Sequence, residues 1–219
     1  MSRFDFTPIE AEPHALADMY AVLGDAESSE QAECYAVPAG LQTREYAAAV
    51  IWSANTPDLA SARLDTRLRR ETILRDAAVP RSYYVGAAAL RHTHWGDKNT
   101  VLRQIDHLRT VVEEDIEAGP DSLCKVGIMP VSFIRPLPGE IPAGMSLVVP
   151  QDVRVVETAH GAYVMGNDCL EVDRIGTQGI RSSEVRHRQS LLKQAATVAV
   201  FGEAALELID ESRAVLLAA

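Results

Sequence analysis

Ser82-Tyr83-Tyr84-Val85-Gly86, then a stretch from Asn99 to Glu117, then Lys125-Val126-Gly127-Ile128-Met129: on these three segments the fold turns. The first follows Pro80 and is rich in aromatic and β-branched residues, the composition of a buried strand. In the second, Leu102, Ile105, Leu108, Val112 and Ile116 recur at three- and four-residue intervals, and Gly119-Pro120 supplies the stop, so the spacing predicts a long amphipathic helix. The third reads as another strand. Strand, helix and strand in that order predict a right-handed βαβ crossover with its two strands parallel.

Working outward, Met145–Val149, Val153–Thr158 and Ala162–Met165 read as three short strands, separated by Pro150-Gln151-Asp152 and by His160-Gly161, in an antiparallel meander. Ser182-Ser183-Glu184 offers helix caps, and the remainder to Ala219 is helical in composition with a break near Gly202, which predicts a pair of helices. Upstream, residues 58 to 77 predict a helix in which Leu64 and Leu68 face inward and Arg63, Arg67 and Arg70 share one flank. Arg44 to Ser53 predicts another through Tyr46, Ala47, Val50 and Ile51, entered from the Pro/Gly turn at residues 37–43. A further helix is expected from Ala15 to Ala36, where Leu16, Met19, Tyr20 and Leu23 have helical spacing, and a short one between Ala87 and Trp95. Residues 1–14, with Pro8 and Pro13, are expected to form an arm. The expected class is α/β (α+β), one domain over residues 15–219: a helical amino-terminal layer, a mixed five-stranded sheet with one βαβ crossover and a meander, and a carboxy-terminal helix pair.

Charge narrows the function. The chain of 219 residues has a formal net charge of -10, and residues 1–62 hold ten acids against only Arg3 and Arg44. Phosphate backbones are bound mainly by Lys and Arg displacing counterions, so binding of nucleic acid by this protein itself is not expected. The acidic surface serves solubility or meets a basic partner. Cys34, Cys124 and Cys169 are far apart and form no CxxC pair, which argues against a disulfide framework or zinc ribbon and for a reducing compartment. With no apolar leader at Met1-Ser2-Arg3-Phe4-Asp5 and no membrane-length apolar stretch, a cytoplasmic location away from membranes is expected.

Four segments, in order, carry a resemblance: Val37-Pro38-Ala39-Gly40-Leu41-Gln42-Thr43-Arg44-Glu45-Tyr46-Ala47; Arg67-Leu68-Arg69-Arg70-Glu71-Thr72-Ile73-Leu74; Tyr84-Val85-Gly86-Ala87-Ala88-Ala89-Leu90-Arg91; and Val153 to Gly161. Together they resemble the actinobacterial domain of unknown function that follows an Xre-type helix-turn-helix in WhiJ-like, antitoxin-like transcription regulators, across residues 15 to 215. The resemblance implies sensing or partner binding, and the acidic segment at the front is too short for the helix-turn-helix, so the module is expected to stand without its DNA reader. Three departures from the family's pattern stand out: Ala39 stands for a glycine and one of the paired leucines is missing, Glu71 stands for a glutamine, and Gly86-Ala87 for an acidic pair. If that pair normally engages the arginines near Arg67 and Arg70, then a ligand anion, Glu71 or Glu157 must compensate here.

Arg67, Arg70, Tyr83, Arg91 and Met129, with Glu157, come from elements that the crossover brings toward one another, and they are the expected lining of a ligand pocket. Glu157 and His160 flank a predicted hairpin turn and form a candidate acid/base pair. His92 and His94, two apart, lack a Glu or Cys at a usual ligand interval, and neither a metal nor a cofactor is expected. GxSxG, P-loop, GxGxxG and HExxH motifs are absent. The first functional expectation is a stand-alone regulatory module that binds a small anionic molecule or a protein partner. The alternative is a cofactor-free enzyme of specialised metabolism catalysing a cyclisation, isomerisation or elimination. A homodimer through the carboxy-terminal helices is the third.

Overall fold

A strand of almost wholly polar residues, Ala-Glu-Ser-Ser-Glu-Gln-Ala-Glu, forms the middle of the sheet. The computed structural model describes residues 20–53, 56–131, 153–165 and 181–219. Its strands are β1 (Ala26–Glu33), β2 (Arg81–Gly86), β3 (Cys124–Met129), β4 (Val153–Thr158) and β5 (Gly161–Met165), in the order β3-β2-β1-β4-β5. The first three strands are parallel; β4 runs antiparallel to β1, and β5 antiparallel to β4. The helices are α1 (Arg44–Trp52), α2 (Pro57–Asp76), α3 (Lys98–Ala118), α4 (Arg181–Val198) and α5 (Glu203–Ala218), with a 3₁₀ turn over Ala87–Leu90.

The mixed five-stranded sheet, the β2–α3–β3 crossover and the carboxy-terminal helix pair are those the residue pattern predicts. One assignment is corrected. The helix expected over residues 15–36 is confined, among the described residues, to 20–24, and the chain then turns at Asp25 into β1. Residues 145–149, expected as a strand, lie outside the described residues, so β1 is the fifth strand. With β1 in place, α1 and α2 belong to a second parallel connection, from β1 to β2.

The alternating geometry of a strand explains why a polar sequence can lie there. Ser29, Gln31 and Glu33 point to one side together with Tyr83, Val85, Val126, Ile128, Arg154 and Val156, as the pairing register requires. On the β2–β3 half of that face, Ile105, Leu108 and Val112 of α3 and Ala205, Leu206 and Ile209 of α5 complete an apolar core. Fully burying one such Leu or Ile contributes about 1.5–3 kcal/mol. Ala32, Tyr84, Met129, Val153 and Val155 face the other way and pack on Val185, Leu191, Leu192 and Ala195 of α4. Gly127 is required there, because a Cβ at that position would lie 2.8 Å from the Phe201 ring. No helix among the described residues is long and apolar enough to cross a membrane.

Candidate functional site

The inner side of α2 is apolar at its two ends and cationic between them. Ala60 and Leu64 pack on Ala47 and Ile51 of α1, while Leu74 packs with Leu23, Val79 and Val156. Between those contacts lie Arg67 and Arg70, one helical turn apart and 3% and 1% exposed. Arg154 of β4, directly opposite Gln31, is 2% exposed and joins them. Burying three guanidinium groups in one layer is costly unless each is met by charge and hydrogen bonds.

Glu71 is the best-defined counter-charge. Arg154 Nη1 donates to Glu71 Oε1 at 2.6 Å, the Tyr83 hydroxyl donates to Glu71 Oε2 at 3.1 Å, and Arg154 Nε reaches Ser29 Oγ at 3.3 Å. Burial by itself would raise the Glu71 carboxyl; the charge and hydrogen bond of Arg154, with Arg70 and Tyr83 behind it, outweigh burial and hold it below its ordinary value. Burial and the adjacent Glu71 push the Tyr83 phenol well above its ordinary value, so it remains a hydrogen-bond donor. Glu33, on the same face of β1, is buried, and its Oε1 accepts from the backbone N–H of Tyr35 at 3.1 Å.

The turn after β1 covers this cluster. Gly40 lies so close that a Cβ there would collide with the Tyr83 hydroxyl and stand 2.6 Å from Glu71 Oε2. Arg67 Nη1 donates to Gln42 Oε1 at 2.9 Å, and Gln42 Nε2 donates to the Val37 carbonyl at 2.6 Å. From α3, the buried Gln104 holds the other end of the turn: its Nε2 donates to the Leu41 carbonyl at 2.8 Å and its Oε1 accepts from Thr43 N–H at 2.7 Å. The resulting site lies toward the carboxyl end of β1, at the seam where the chain, having added β2 and β3 on one side, returns to place β4 on the other.

Of the expected pocket residues, Arg67, Arg70 and Tyr83 come together, and three others do not. Arg91 instead hydrogen-bonds Ser212 Oγ at 3.3 Å and Glu211 Oε1 at 3.0 Å on α5. Met129 packs on the opposite face of the sheet, against α4. Glu157 also faces that side, is exposed, and accepts from Gln189 Nε2 at 3.0 Å. His160 is exposed in the β4–β5 turn, where its backbone N–H donates to Thr158 Oγ1 at 3.1 Å; no hydrogen bond joins its ring to Glu157. The reason is register: Glu157 points to the α4 side, so it also cannot compensate the arginines, a role that falls to Glu71.

Gln31, Ser29, Glu33 and Arg154 escaped the sequence reading. An arginine between two valines in a short strand reads as solvent-facing, and only the pairing of β4 with β1 turns it inward. Burial pushes the Cys34 thiol up to about 12 and the Cys124 thiol up to about 11, which makes both poor nucleophiles. Among the described residues, no group of three or more His, Cys, Asp or Glu is placed to hold a metal ion. His94 sits edge-on to Trp95, their ring centroids 4.6 Å apart.

Chemically, the buried guanidinium groups and the neutral phenol supply donors of the kind a carboxylate accepts from, as Glu71 does here. Residues 16–117 match the model of a family described as a domain of unknown function, DUF5753. That span contains the turn at residues 37–43, α2 and Tyr83, while Arg154 comes from beyond it. No curated protein and no solved structure matches the chain.

Proposed function

We propose that this protein is a ligand-binding regulatory module whose buried guanidinium cluster receives the anionic group of a small molecule, or of a partner protein's acidic side chain. The observation that carries this reading is the burial of Arg67 and Arg70 of α2 and of Arg154, which pairs with Gln31 of the polar central strand and with Glu71 of α2. Stability alone does not favour such a layer, because apolar side chains of similar volume would serve a core as well or better. The match over residues 16–117 is to a domain of unknown function, and the reading adds that this module senses a molecule in the cytoplasm. The alternative, acid/base catalysis by Glu157 and His160, draws no support from their separate hydrogen bonding.

Thermal-shift and calorimetric titration with inorganic phosphate, citrate and short aliphatic carboxylates test it. At least one is expected to raise the unfolding temperature by several degrees and to bind in a salt-dependent manner. Arg67→Lys, which loses the planar fork, should weaken that binding by about tenfold. Absence of stabilisation by every oxyanion at millimolar concentration would overturn the reading.

A further inference from the structure

We infer that Glu71 is a built-in stand-in for the ligand's anion, a carboxylate that an incoming oxyanion displaces from Arg154 and Tyr83 and that thereby sets the affinity of the site. The inference rests on the oxyanion-binding reading above and concerns its regulation.

Both oxygens of Glu71 are engaged, Oε1 by Arg154 and Oε2 by Tyr83, in the arrangement of charged and neutral donors that an external carboxylate or phosphate would need. Glu71 is also the more accessible member of its ion pair, its side chain 12% exposed against 2% for Arg154. Its backbone position on the helix, one turn after Arg67, brings its carboxylate to Arg154 and Tyr83. A carboxylate so placed neutralises the site at rest. It also imposes a competition: a ligand gains the donors of Arg154 and Tyr83 only by releasing Glu71 toward solvent. Selectivity follows, because an oxyanion with a higher charge density than a side-chain carboxylate displaces Glu71 more readily.

Calorimetric titration of the full chain with inorganic phosphate, and separately with acetate, compares the wild type with Glu71→Gln. Removing the competing charge while keeping the side-chain shape should tighten binding of both anions by about tenfold or more. Phosphate should exceed acetate in the wild type by more than in the variant. Equal affinity in the two proteins would overturn the role of Glu71 and leave the binding reading standing. No binding to either protein would overturn both. Should Glu71→Gln fail to fold, ¹³C-tyrosine labelling of the wild type decides: saturating phosphate should shift the Tyr83 Cζ resonance as its hydrogen bond to Glu71 breaks. An unmoved Tyr83 signal in a phosphate-saturated protein would sink the displacement.

Discussion

Gly40 shows how one small residue gives the candidate site its roof. The backbone at Gly40 lies against the Tyr83 hydroxyl and Glu71 Oε2, an approach that any Cβ would block. Gly40→Ala must therefore push back the turn, Tyr83 or the Arg154–Glu71 pair, none of which is a free chain end. A cost of about 1–3 kcal/mol is expected, measured by urea unfolding, and a change within error would show that the turn does not rest on the cluster. Glu71 illustrates the same closeness electrically. Its carboxyl is held down although burial pushes it up, because Arg154 contributes both charge and a 2.6 Å hydrogen bond.

Between elements, the packing of α2 on β1 and β4 combines apolar ends with an ionic middle, and the middle responds to pH. A carboxyl whose folded pKa is depressed contributes stability that is fully present above its unfolded value and is lost as pH falls through the folded value. For Glu71 this places the loss below its ordinary 4.5. Glu30, on the α4 side of β1, has the opposite shift: burial, then the neighbouring Glu157, raise its carboxyl, while Lys193 lowers it, so its ionisation costs stability as pH rises past 4.5. Urea midpoints between about pH 3 and 7 should accordingly fall less steeply on the acid side in Glu71→Gln than in the wild type. An unchanged acid limb would mean that the Arg154–Glu71 pair adds no pH-dependent stability. The ion pairs joining α3 and α5, Arg109 with Asp210 at 3.2 Å and Arg213 with Asp106 at 2.9 Å, are half-exposed and weakened by solvent screening. The apolar contacts beneath them hold that layer.

For the whole molecule, a net charge of -10 surrounds a small cationic interior. An acidic exterior repels phosphate backbones, and the buried arginines, at most 3% exposed, do not offset it at the surface. The isolated protein is expected to leave duplex DNA unshifted in an electrophoretic assay at low salt, and a salt-sensitive complex would contradict the charge reading. Much of the architecture was legible from spacing alone. The helical period of Leu102, Ile105, Leu108 and Val112, the strands either side of it and the break at Gly202 all state a local preference that packing then satisfies. Arg67 and Arg70 were legible as well, because a helix brings residues three apart onto one flank. The sequence could not place β1, since Glu-Ser-Ser-Glu-Gln has no apolar alternation and becomes a strand only where parallel β2 and antiparallel β4 supply its hydrogen bonds. With β1 misplaced, Arg154 went unnoticed, and Met129 and Glu157 were grouped with residues that lie across the sheet from them. Local periodicity thus determined the elements and the two arginines of α2. Strand register, which is set between segments far apart in the chain and reverses every side chain when it slips by one residue, decided which polar groups meet in the interior.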